Sequence, residues 1–204
     1  MSGSKKNMGS NDEESNDAYI AGKLLLAMPA MGDFRFEKSV IYMCAHDELG
    51  AMGLVINNPM PELDFKDLMD QLDVTSDIEF DPKSLATQVM NGGPVEGARG
   101  FLLHSSDFQL PDTIKVDDGV SVTGTLDALK DVASGQGPKE KIFILGYAGW
   151  SAGQLDEELQ RNAWLIVDAD PELVFHENPS EKWDLAMKKL GIDPAMLSST
   201  GGTA

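Results

Sequence analysis

The chain has one cysteine, three histidines and no apolar run long enough to cross a bilayer. A lone Cys44 has no partner for an internal disulfide, which suits a reducing compartment. Cys44, His46, His104 and His176 are too few and too scattered for a zinc site of known spacing, so no metal is expected. Cations are scarce as well: 16 Lys and Arg stand against 34 Asp and Glu, a formal net charge of -18. Nucleic-acid readers gain most of their affinity from Lys and Arg neutralising phosphates, and no three basic residues adjoin here. The summed field repels DNA, RNA and anionic membranes as direct partners. The richest apolar stretch, residues 24–31, is short and contains Pro29, and the polar N-terminus has no signal-peptide pattern. A cytoplasmic protein is expected. Phosphate-loop, dinucleotide-binding and His-Glu-x-x-His motifs are all missing, so no cofactor is expected.

What remains is an ordinary globular composition, 42% hydrophobic and 25% charged, in 204 residues, enough for one core. Residues 1–17 are almost wholly Ser, Gly, Asn, Lys, Asp and Glu, and residues 198–204 read the same way. Neither stretch offers apolar surface to offset the entropy of ordering, so both are expected to be disordered tails around one domain, 18–197.

The body opens with short β-rich runs at 23–28, 39–45 and 53–57, separated by gaps that favour antiparallel neighbours. Phe65, Leu68, Met69 and Leu72 then repeat with helical spacing behind Asp64 as N-cap. Strands are expected near 87–90 and 100–104, and an extended stretch at 113–123 is broken by Asp117-Asp118-Gly119. Thr125 caps a second helix on Leu126, Leu129 and Val132, and 141–145 is a strongly apolar strand. Ser151-Ala152-Gly153-Gln154 has capping-box form and opens a third helix on Leu155 and Leu159. Residues 164–167 read as a strand, and Asn178-Pro179-Ser180-Glu181 opens a last helix on Trp183, Ala186, Met187 and Leu190, stopped by Gly191. Strands come early and helices late without strict alternation, which gives an α+β fold, largely antiparallel, with flanking helices.

Three residues are candidates for catalysis. Alternation places Cys44 and His46 on one face of a strand, where an imidazole could stabilise a thiolate; the competing reading is a buried thiol beside a hydrogen-bonded histidine. His104-Ser105-Ser106-Asp107 reads as a strand running into a turn. Gly149-Trp150-Ser151-Ala152-Gly153 is a literal Gly-x-Ser-x-Gly between a strand and a helix, with Asp168 and His176 following in hydrolase order. Against a hydrolase, only 53 residues follow Ser151, and Asp168 and His176 share one connection. Ser151 also has a structural role available as helix cap.

Several blocks carry a resemblance. They are Gly22-Lys23-Leu24-Leu25-Leu26-Ala27-Met28-Pro29, Phe36-Glu37-Lys38-Ser39-Val40-Ile41-Tyr42, Cys44-Ala45-His46 and Gly50-Ala51-Met52-Gly53-Leu54-Val55-Ile56-Asn57. Later come Gly92-Gly93-Pro94-Val95, Arg99-Gly100-Phe101-Leu102-Leu103-His104-Ser105, Gly146-Tyr147-Ala148-Gly149-Trp150-Ser151-Ala152-Gly153-Gln154-Leu155 and Asn162-Ala163-Trp164-Leu165. In this order the blocks resemble the bacterial YqgE/AlgH family over about residues 20–190. The resemblance implies a branching sheet closing toward a pseudo-barrel. It also implies an association with regulation, since the name AlgH derives from alginate production in pseudomonads; it brings no reaction and no cofactor.

The leading functional reading is a non-enzymatic cytoplasmic binding or regulatory domain acting through a protein or small-molecule partner. The alternative is a serine hydrolase using Ser151, and the third is a direct DNA-binding regulator, which the charge opposes. The recognition surface is expected where Gly- and Pro-rich loops follow strands: Asn57, Gly92, Gly93, and an exposed Tyr147 and Trp150. Against that stands the reading in which these glycines serve tight turns and the aromatics pack the core.

Overall fold

The computed structural model describes residues 19–72, 79–84 and 87–197. Both expected tails, 1–17 and 198–204, lie outside the described residues.

The first three strands form the expected antiparallel meander: β1 (Lys23–Ala27), β2 (Val40–Asp47) and β3 (Gly50–Val55). Helix α1 (Phe65–Gln71) follows, with the Asp64 carboxylate accepting from the Asp67 N–H at 2.7 Å. Next come β4 (Val89–Asn91), β5 (Val95–Ser105), β6 (Ile114–Lys115) and β7 (Val120–Thr123). The Asp117 carboxylate accepts from the Gly119 and Val120 N–H groups, closing the turn between β6 and β7. Helix α2 (Leu126–Ala133), β8 (Lys141–Ser151), α3 (Gln154–Gln160), β9 (Trp164–Asp168), a π-turn (Glu172–His176) and α4 (Lys182–Lys189) complete the order.

These strands make one sheet in the order β6-β7-β5-β8-β3-β2-β1-β9. It branches at β8. β4 lies parallel along the first half of β8, from Phe143 to Leu145, and β3 lies antiparallel along the second, from Ala148 to Ser151. The sheet curls into a half-barrel with helices flanking it, an α+β architecture. Alternation sorts the side chains. Leu24, Leu26, Val40, Tyr42, Leu103 and Ile144 point into the concave face, which the π-turn and α4 fill with Leu173, Val174, Trp183 and Met187. The convex face is covered at one end by α1 and α2 around Phe65 and Phe143, and at the other by α3 around Leu25, Ile41 and Trp150.

Two bulges set what each face receives. The β2–β3 register slips between Met43 and Ala45, with Cys44 as the extra residue. The β5–β8 register slips between Val95 and Gly100, opposite Gly146, whose φ of +74° suits glycine. Before Gly146, Phe143 and Leu145 face α1 and α2 while Ile144 faces inward. After it, Tyr147 faces inward and Ala148 and Trp150 face α3. Without this break in alternation at Gly146, Trp150 would point to the concave side.

Helix caps differ from the sequence expectation in three places, although α2 starts behind Thr125 as expected. The N-cap position of α3 is Gly153, at φ +73°, so Ser151 is not its cap. Thr125 occupies the N-cap position of α2 but its Oγ1 caps nothing. The last helix begins at Lys182, because Asn178 spends its carboxamide oxygen on the Ser180 N–H and hydroxyl in a preceding turn. Its end is as expected: Gly191 has φ +73°, and Ile192 N–H donates to Met187 O.

Candidate functional site

The expected loop 146–150 is in fact the second half of β8, a continuous strand with β3 on one side. β5 meets it only as far as Tyr147, because Val95 is the last residue in register there. Beyond that point the flank of β8 forms one wall of a cleft of about 560 Å³. Gly149 and Trp150 line that wall, Pro94 and Val95 the near rim, and Met31, Asp33 and Arg35 from the β1–β2 connection the opposite rim. Glu158 of α3, Arg161 just past the end of that helix and Trp164 of β9 complete it.

The polar centre of the cleft is Glu158. One of its carboxylate oxygens, Oε2, accepts from the Trp150 indole N–H at 2.9 Å and from the Trp164 indole N–H at 2.7 Å. The other accepts from Gln154 Nε2 at 2.9 Å. The two indoles meet edge to face, centroids 5.8 Å apart, and Phe36 stacks edge-on against Trp164. Three donors and two rings thus hold one carboxylate in a single orientation. At the rim, Arg35 donates to the Asp33 carboxylate three times, from Nε to Oδ1 at 2.9 Å and Oδ2 at 3.2 Å and from Nη2 to Oδ2 at 2.6 Å. That pairing keeps the Asp33 carboxyl below the usual carboxylate range. Arg161 reaches Glu157 at 3.4 Å.

Of the residues expected at a recognition surface, Trp150 borders this cleft, but it is not exposed: only 7% of it is accessible. Tyr147 is half-buried and packs edge-on against Phe101 on the concave side. Gly92 and Gly93 sit behind the cleft, where their backbone presses on β8. A Cβ on Gly92 would lie 2.3 Å from Gly146 O, and one on Gly93 2.4 Å from Tyr147 C. Asn57 is a clip: its side-chain oxygen accepts from Val40 N–H at 2.8 Å and its nitrogen donates to Lys38 O at 2.9 Å.

The catalytic candidates do not assemble. Ser151 Oγ donates to Gln154 Oε1 at 3.1 Å, and the Ser151 N–H donates to the same oxygen. Asp168 pairs with Lys23 and His176 lies 3.5 Å from Glu140, so neither turns toward Ser151. The bulge at Cys44 breaks the alternation, leaving Cys44 against the concave core. His46, opposite Ala51, instead packs edge-on against Tyr19 and lies 3.8 Å from Asp156 on the other face. Burial pushes the Cys44 thiol up to about 12, the opposite of what a nucleophile needs. His104 accepts or donates only within the fold, to Ser105 O at 2.8 Å and Thr123 Oγ1 at 2.9 Å, and burial lowers its pKa. Among the described residues no three His, Cys, Asp or Glu side chains cluster as metal ligands. Among them, too, no helix is long and apolar enough to cross a membrane.

No motif or spacing in the sequence points to Arg35, Glu158 or Arg161, and Trp164 enters there only as part of a strand and a resemblance block. They come from three separate elements, and only the chain's return through β9 beside β1 brings them together.

This branching half-barrel with α3 against its convex face is a shared architecture. Residues 24–195 match the family described as AlgH-like, and the chain belongs to that family. A UPF0301 protein of Bradyrhizobium sp. strain BTAi1 is 50% identical over 204 residues, covering 98% of this chain and 94% of that protein. A UPF0301 protein of Nitrobacter hamburgensis is 48% identical over the full length of both. The solution structure of the AlgH protein from Pseudomonas aeruginosa superposes with a TM-score of 0.74 at 37% identity, covering 97% of this chain and all of that one. A crystal structure from Corynebacterium diphtheriae, at 18% identity and a TM-score of 0.66, shares the fold.

Proposed function

We propose that the chain is a non-enzymatic cytoplasmic binding and regulatory domain that recognises a protein or small-molecule partner in the cleft beside Trp150. The observation that carries this reading is the Glu158 carboxylate, held by two indoles and an amide at the base of a cleft rimmed by Arg35 and Arg161. A pre-oriented acceptor flanked by two guanidinium groups suits recognition of a partner carrying both donors and acceptors. The lining contains no Ser, Thr, Cys, His or Lys, and its two carboxylates are already engaged, Asp33 by Arg35 and Glu158 by the two indoles and Gln154. The alternative hydrolase must rely on Ser151, whose hydroxyl is engaged by Gln154 rather than by an imidazole. Regulation through a partner rather than through DNA is supported by the net charge of -18.

The test is a comparison of wild type with Arg35→Glu/Arg161→Glu, both side chains being exposed. A bound partner should be lost from the double variant while its unfolding midpoint is unchanged. Stoichiometric fluorophosphonate labelling abolished by Ser151→Ala would replace this reading with the hydrolase.

A further inference from the structure

A second cleft, of about 530 Å³, opens where β4 and β8 begin their parallel pairing, between the π-turn and the start of α4. Its charge runs against the rest of the molecule. Four of the chain's 16 lysines and arginines line it, Lys83, Lys139, Lys141 and Lys182, against two of its 34 acidic residues, Glu140 and Glu177. In a protein of net charge -18, such a concentration of cations in a concavity is a local reversal of field.

Lys182 is the unusual member. It is 1% exposed, and its ammonium donates to Leu173 O at 2.7 Å and Val174 O at 2.9 Å. Those two bonds use two of the three N–H donors of an ammonium. Among the described residues no carboxylate lies within ion-pair distance of it. Glu177 and Glu172 act on it only from beyond that distance and do not offset its burial, a cost that an anion arriving from the cleft relieves. Burial lowers the Lys182 pKa to about 8, so most molecules carry the charge at neutral pH. Lys141 donates to Pro138 O at 3.1 Å, while His176 and Glu140 pair with each other at 3.5 Å. Phe175 is the partly exposed apolar residue of the lining, with Met90 and Ile142 buried beneath the surface.

We propose that this cleft is an anion site that takes a small organic phosphate, its phosphate among Lys139, Lys141 and Lys182 and its organic part against Phe175. Lysines act as point charges toward phosphate, and the volume fits a molecule of nucleotide size.

The experiment is an amide NMR titration of the full chain at low ionic strength with pyrophosphate, adenosine diphosphate and succinate. Wild type is compared with Lys139→Gln/Lys141→Gln, and with Lys182→Met where its spectrum remains dispersed. Pyrophosphate should give saturable shifts confined to the amides of Lys139, Lys141, Glu177 and Lys182, with at least tenfold weaker binding in the double variant. Adenosine diphosphate should bind more tightly than pyrophosphate. Shifts that never saturate, that are unchanged in the double variant, or that appear equally at Lys66 and Lys115 overturn the site. Succinate binding as tightly as pyrophosphate overturns the phosphate class, and no gain for adenosine diphosphate overturns the organic part.

Discussion

Replacing Gly146 by alanine should be among the most damaging single-methyl additions in the molecule, and the structure separates the reasons. Gly146 holds φ +74°, and an added Cβ would stand 2.7 Å from Gly93 O and 3.1 Å from Val95 O, both backbone atoms with no rotamer to escape into. The left-handed conformation costs an alanine about 1–2 kcal/mol, and overpacking adds about 1–3 kcal/mol. Gly146→Ala should therefore lose about 2–5 kcal/mol. Gly153 has nearly the same φ, +73°, with nothing within 4 Å of its Cβ, so Gly153→Ala isolates the conformational part, about 1–2 kcal/mol. Gly97 has neither strain nor neighbours, and Gly97→Ala should fall between neutral and about 1 kcal/mol stabilising. Urea unfolding followed by circular dichroism gives all three, with equal m-values as the check that one transition is compared. Because the Gly146 bulge sends Trp150 to α3, Gly146→Ala should also change the tryptophan emission of whatever remains folded. A loss in Gly146→Ala no larger than in Gly153→Ala would refute the close-packing argument and the bulge assignment with it.

Trp150→Ala should cost about 3–5 kcal/mol as a buried aromatic truncation, read by the same denaturation. Ser151→Ala should cost less than about 0.5 kcal/mol, since the hydroxyl is exposed and caps no helix; a loss above 1 kcal/mol would restore the capping role. Cys44 should resist iodoacetamide at pH 7.5 in the folded protein and react at once in urea, because burial holds the thiol protonated; fast labelling of the native state would contradict that. Lys182 has its pKa lowered to about 8 in the folded state against an ordinary value of 10.5, so between these pH values the unfolded chain holds more protons. Stability relative to Lys182→Met should then rise with pH across that window, by up to about 3 kcal/mol; a flat or falling difference would show that the ammonium is not desolvated.

Much of the frame is legible in the residues. The meander of β1 to β3, the Asp64 cap, the Asp117 turn and the Gly191 stop follow from period, cap chemistry and turn chemistry, which are local. The resemblance supplied the branching sheet. What the residues hide is non-local. Gly146 and Gly149 read as loop glycines, yet β8 continues through both, with a bulge at Gly146 where Gly92 and Gly93 approach its backbone more closely than a side chain allows. The bulges at Cys44 and Gly146 reverse the facing of everything beyond them, which separates Cys44 from His46 and buries Trp150 under α3. Glu158 reads as one more acidic residue on an exposed helix; its importance comes from two indoles that no spacing rule connects to it. Lys182 likewise reads as a surface lysine at a helix start, and only the π-turn carbonyls above it explain its burial.

The central claim is that the cleft beside Trp150 holds a partner. The most direct test is quantitative co-purification from native cells, with protein and metabolite mass spectrometry, of wild type beside Arg35→Glu/Arg161→Glu at matched stability. At least one protein or metabolite should be enriched on wild type and lost from the cleft variant, with quenching or shift of Trp150 and Trp164 emission when that component is added back. Equal recovery of every component on both proteins, with unchanged tryptophan emission, would contradict the claim.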